Sequence, residues 1–292
     1  MGKRVLLFLV TNLAIMVVLS IVLSLLGFGG YLGTDGQLLI GPLMVFCLVW
    51  GMGGALISLM ISRMVAKWVM GIKLVNGQTG NEQLDWFHST VENLARQANL
   101  PMPQVGYYES EDVNAFATGP SKKRSLVAVS TGLLRTMKRE EAAAVLGHEL
   151  GHIANGDMVT MTLIQGVVNA FVMFFARIIA FAVRQVVHEK IAWMVSFAVR
   201  IVMEIVLGIL GMLVTSWFSR QREFRADAAG AALAGRENMV AALERLRTTV
   251  ERVDTAHPSL AAMKISGRKG WLHAFSTHPP LEVRIEALRA GR

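Results

Sequence analysis

Four stretches of the chain are apolar enough and long enough to cross a bilayer. Val5 to Leu26 carries no charged residue, and neither does Leu38 to Ser62. At about 1.5 Å of rise per residue, each covers a hydrocarbon core of roughly 30 Å as a helix. Met158 to Val183 is uncharged until Arg177, and Ile191 to Phe218 is interrupted by Arg200 and Glu204. Only Arg184 to Lys190 joins these two, so they form an antiparallel hairpin, either crossing the membrane or dipping into it. Charged side chains within a span are costly and pair with each other or with protein. Arg200 and Glu204, four residues apart, are expected to pair on one helix face. The first stretch is longer than a signal-peptide core, and Gly27-Phe28-Gly29-Gly30 lacks an A-x-A-like cleavage site, so it reads as an uncleaved anchor.

Polar patterning fills the intervals. Glu82 to Asn99 places Leu84, Phe87, Val91, Leu94 and Ala95 at helical spacing, and Pro101 and Pro103 end that helix. Gln104 to Tyr108, Ala115 to Thr118 and Ser125 to Ser130 read as short strands, with Gly119-Pro120 as a turn. From Lys138 the pattern is helical again, with Glu140 and Glu141 where acids suit the helix dipole. Beyond Phe218 a further helix is expected up to about Arg252, then loops at His257-Pro258 and Gly267 to Gly270, then a helix from Pro280 to Leu288.

Composition agrees with a membrane protein: 53% of the residues are hydrophobic, 17% are charged, and the net charge is +8. The basic residues cluster beside apolar spans, which the positive-inside rule explains more simply than nucleic-acid binding does. Lys3 and Arg4 lie on one outer flank of the first two spans and Arg63, Lys67 and Lys73 on the other, while the loop between them holds Asp35 and no cation. Both flanks, and residues 63–157, are therefore expected in the cytoplasm. The single cysteine, Cys47, cannot form an intrachain disulfide, and nothing points to a cysteine-based zinc site.

The chemistry concentrates in His148-Glu149-Leu150-Gly151-His152. At about 100° per residue, the two histidines fall about 40° apart on one helix face, one turn separated. Two such imidazoles can bind one zinc ion, with Glu149 beside it as a general base. A catalytic site needs a third protein ligand. Asp157 lies about 180° around a continuous helix from His148 and reads as a polar group at the membrane boundary. Asn155 and Met158 exclude the metzincin continuation. Glu223 and Asp227, four apart after the last span, can supply one ligand and one acceptor for a histidine N–H.

These features together resemble the HtpX family of bacterial membrane metalloproteases, relatives of the CaaX prenyl endopeptidases. The resemblance rests on the two N-terminal spans, Asn114-Ala115-Phe116-Ala117, the His148 motif, the hairpin, Arg222-Glu223 through Ala226-Asp227, and Thr277-His278-Pro279-Pro280 with Arg284. It implies a mainly α membrane protein of four transmembrane helices with an α+β, zincin-like (gluzincin) cytoplasmic protease domain. His148, His152 and Glu223 would bind one zinc ion per chain, Glu149 would activate water, and Asp227 would support the ligands. It also implies a bacterial cytoplasmic (inner) membrane location and degradation of misfolded membrane proteins, overlapping with an ATP-dependent membrane protease.

His278 is placed to donate a hydrogen bond to a substrate carbonyl or oxyanion, and Arg284 to pair near Glu223 or Asp227. Asn114, Ala115, Phe116 and Ala117 look like an edge strand for an extended substrate. His88, His188, His257 and His273 match no motif. The expected division is 1–62, an N-terminal transmembrane hairpin; 63–157, the first protease segment; 158–218, a second hairpin; and 219–292, the second protease segment. A prenyl-type endopeptidase and a zinc-stabilised scaffold without turnover are the alternatives.

Overall fold

A computed structural model of the chain describes residues 2–28, 30–256 and 276–291. The expected loops at His257-Pro258 and Gly267 to Gly270, with His257 and His273, lie outside the described residues. The chain forms two compact units, one of Met1–Ser58 with Met161–Thr215, the other of Leu59–Thr160 with Ser216–Arg292.

The first unit is helical, and its surface is apolar. It contains α1 (Gly2–Leu25) and parts of three long helices, α2 (Ile40–Met70), α6 (Asp157–Val186) and α7 (Glu189–Ala234). These three are long and apolar enough to cross a membrane. The described apolar part of α1, Leu13–Leu25, is shorter. Phe171, Trp193, Ile205 and Leu210 are each about half exposed or more. Such a surface is stable against lipid and would aggregate in water. Helix packing uses small residues, as in membranes generally: a Cβ on Gly51 would stand 2.6 Å from the Ala170 backbone nitrogen.

Two features of these helices differ from the sequence expectation. Glu204 pairs not with Arg200 on its own helix but with Arg177 of α6, at 3.3 Å. Arg200 instead lies over the ring of Phe197, 5.1 Å from its centroid. And the chain does not start a new helix after Phe218: α7 continues without a break through Glu223 and Asp227 to Ala234.

The second unit has a conventional core. A four-stranded sheet of order β1-β2-β4-β3 is built from Lys73–Val75, Gln104–Tyr108, Leu126–Ser130 and Ala115–Thr118. β2 and β4 are parallel, and the two outer pairings are antiparallel, leaving β3 as an edge. Three of the strands fall where the alternation predicts them; β1 is too short to stand out in the pattern. α3 (Glu82–Gln97) is capped by Asn81, whose side chain accepts from the backbone of Gln83 and Leu84. Phe87 and Val91 of α3, Val127 and Val129 of β4, and Leu146 and Leu150 of α5 (Arg139–Asn155) form the core. Met239 and Leu243 of α8 (Arg236–Ala256) and Ile285 and Leu288 of α9 (Leu281–Arg289) close it. A six-residue helix, α4 (Thr131–Thr136), joins β4 to α5.

The position of α5 against the C-terminal part of α7 matters most. A Cβ on Gly151 would meet the Ala229 Cβ at 2.7 Å, and one on Gly230 would stand 3.0 Å from both the Ala144 carbonyl and the His148 backbone nitrogen. Only hydrogen side chains permit so close an approach. Gly230→Ala is therefore expected to destabilise the protein by about 1–3 kcal/mol through overpacking. Gly208→Ala, with open space around its Cβ, should be neutral or gain up to about 1 kcal/mol from helix propensity. Thermal unfolding of both variants in detergent checks this.

Candidate metal centre

His148 and His152 sit one turn apart on α5, both buried. The close contact with α7 brings Glu223, fully buried, opposite them. The Nε2 atoms of the two rings are 3.1 Å apart. Glu223 Oε2 lies 3.6 Å from His148 Nε2, and Oε1 lies 3.4 Å from His152 Nε2. Tetrahedral ligands at about 2.0–2.1 Å from zinc stand roughly 3.4 Å from one another, so three such atoms around one point have the right separation. Among the described residues, this is the one group of three His, Cys, Asp or Glu side chains that could hold a metal ion.

The proton positions support the same reading. His148 Nδ1 faces Asp227 Oδ1 at 2.9 Å, and His152 Nδ1 faces Asp157 Oδ2 at 2.7 Å. A carboxylate only accepts, so both Nδ1 atoms carry hydrogen and each neutral ring turns a bare lone pair towards the other. Both Glu223 oxygens are buried without a hydrogen bond of good geometry. Three acceptors facing one another are unfavourable unless a cation lies between them. Burial alone would lower the His152 pKa, but the Asp157 and Glu223 carboxylates favour positive charge at this point and push it up to about 9. Burial would likewise raise Glu223, which lies beyond the apolar part of α7, yet its contacts with His152 and His278 hold it well below the usual carboxylate range.

Asp227 is itself held in place. Arg284 of α9 grips it with two contacts, Nε to Oδ2 at 2.7 Å and Nη2 to Oδ1 at 2.5 Å, and approaches Glu223 Oε2 at 3.3 Å. Burial raises the Asp227 pKa, but Arg284 and His148 outweigh it and keep the carboxyl low. The expected neighbours of Arg284 are thus both present.

Asp157 overturns its boundary reading. α5 ends at Asn155 because Gly156 adopts φ 70°, a left-handed conformation that favours glycine. This ends the continuous helix on which the angular argument rested and turns Asp157, almost fully buried, back onto His152. Its signal in the sequence is Gly156 itself, a helix-stop residue between motif and acid.

Of the remaining predicted residues, Glu149 and His278 stand at this centre. Glu149 is half-buried, and its charge acts on both His152 and Arg284. His278 is largely exposed, with Nδ1 2.9 Å from Glu223 Oε2. Its loop is tied down by Arg220, which donates to the Ser276 carbonyl at 2.9 Å. Ala115, Phe116 and Ala117 lie on the edge strand β3, which packs beside α5. Asn114 is already engaged: its side-chain amide donates to the Tyr108 hydroxyl at 3.0 Å, and its backbone bonds Ser130.

The comparisons with known proteins converge on one family. The model of peptidase family M48 matches residues 81–292. A protease HtpX homolog from Thiobacillus denitrificans is 51% identical over 99% of both chains. Protease HtpX of Aeromonas hydrophila is 49% identical over 98% of this chain and 99% of its own. In fold, the chain is similar to the crystal structure of Ste24p from S. mikatae, with a TM-score of 0.63 and 16% identity, covering 99% of this chain and 66% of that one. With a histidine–glutamate cluster suited to a metal and helices that can span a membrane, the chain belongs to the HtpX family of M48 metallopeptidases.

Proposed function

We propose that the chain is a zinc endopeptidase of the bacterial cytoplasmic membrane, cleaving misfolded or damaged membrane proteins. The observation that carries this reading is the convergence of His148, His152 and Glu223 with separations suited to a tetrahedral ion. The donor set of two imidazoles and a carboxylate suits zinc. α1 acts as a fourth span, and the cationic flanks of the first two spans support a cytoplasmic position for the second unit.

His148, His152 and Glu223 would hold the zinc ion, which would supply Lewis-acid polarisation of a carbonyl and lower the pKa of a water. Glu149 accepts a proton from the attacking water and returns it to the leaving amine. His278, exposed beside the ligand atoms with its Nδ1 hydrogen on Glu223 Oε2, donates from Nε2 to the oxyanion when both ring nitrogens carry hydrogen. Asp227 and Asp157 fix the two rings with Nε2 towards the metal, and Arg284 fixes Asp227. An extended substrate adds to the free edge of β3 at Ala115, Phe116 and Ala117, with Asn114 shaping the end of that strand. Such pairing uses mainly backbone atoms, which suits substrates of unrelated sequence.

The test is proteolysis of an unfolded membrane protein by purified full-length chain. Activity should require zinc and disappear with chelation. Glu149→Gln should lower kcat by about 10²- to 10⁴-fold while zinc content stays intact. Glu223→Ala should lose the zinc itself. Asp157→Asn should weaken zinc affinity by about 10- to 100-fold, the usual effect of removing a ligand's orienting partner. Full proteolysis by Glu149→Gln, or an unchanged zinc affinity in Asp157→Asn, contradicts the respective assignments.

A further inference from the structure

In the first unit, Arg177 and Arg184 of α6 and Arg200 of α7 line one cavity of about 270 Å³, together with Tyr31, Trp193 and Ser196. Arg177 and Arg200 stand on the order of 15 Å along their helices from the α6–α7 turn. Glu204 is the one carboxylate of a described residue within ion-pair distance of any of the three, and it reaches only Arg177. The other contacts are an Arg177 donation to the Met173 carbonyl at 3.1 Å and stacking of Arg177 over Phe46 and Arg200 over Phe197. The Nε atoms of Arg177 and Arg200 are buried without a hydrogen-bond partner.

Three guanidinium groups against one carboxylate leave a net double positive charge in a largely apolar cleft. Cations at membrane depth are costly unless paired. The positive-inside rule does not account for them, because they lie towards the turn end of the hairpin, away from the cationic flanks. Trp193 and Tyr31 are the residue types that settle at headgroup level. A guanidinium fork suits a phosphate, which accepts two parallel hydrogen bonds.

We infer that this cavity binds the phosphate headgroup of an anionic phospholipid, with Arg184 and Arg200 as its principal donors and Arg177, anchored by Glu204, at its base. The full chain in neutral detergent is titrated with phosphatidylglycerol, phosphatidylcholine or inorganic phosphate, with bound lipid read by native mass spectrometry and protection by thermal unfolding. Phosphatidylglycerol should be retained in preference to phosphatidylcholine in the unaltered protein, a comparison that needs no variant. The double variant Arg184→Gln, Arg200→Gln should retain it roughly thirtyfold more weakly, the loss expected for two cations at a lipid surface. Equal retention of both lipids, or an unaffected double variant, overturns the proposal. Protection by inorganic phosphate equal to that by phosphatidylglycerol overturns the lipid as its source.

Discussion

The close approach of α5 to the C-terminal part of α7 is the constraint on which the site depends. Gly151 and Gly230 let the two helices approach until backbone meets backbone and methyl. Each glycine costs helix propensity of up to about 1 kcal/mol relative to alanine. In exchange, Glu223 and Asp227 come within reach of His148 and His152. A wider spacing would leave the carboxylate of Glu223 too far from the imidazoles to share one ion with them. Helix packing is thus the source of the ligand geometry.

Around this contact the charges are arranged in layers. The innermost layer is three acceptors aimed at one point. The next is Asp227 and Asp157, each turning one ring, and beyond them Arg284 neutralises part of the acid. Buried carboxylates would otherwise raise their pKa values and protonate. Arg284 and the histidines keep Asp227 and Glu223 ionised, so the centre offers a cation negative charge that is already desolvated and oriented.

Much of this was legible in the sequence, and the failures share a cause. The spacing of His148 and His152 follows from helix geometry alone, as does the shared face of Glu223 and Asp227. Angular spacing on an unbroken helix turns Asp157 away from His148, whereas Gly156 breaks the helix. The continuity of α7 was obscured by the change from apolar to charged residues at Phe218, although no glycine or proline lies between Gly211 and Gly230. Local spacing points Glu204 to Arg200, but its partner, Arg177, comes from another helix. Local rules succeeded where one helix decides the outcome and failed where a turn or a second helix does.

In the proposed function, α5 and α7 together present two imidazoles and one carboxylate to a single zinc ion. Zinc K-edge absorption spectroscopy of the zinc-loaded full-length protein tests it most directly. Ligation by His148, His152 and Glu223 gives a four-coordinate shell of nitrogen and oxygen at about 2.0–2.1 Å, with the outer-shell scattering of two histidine rings. A histidine-free six-coordinate spectrum, or one with a sulfur ligand, would contradict it.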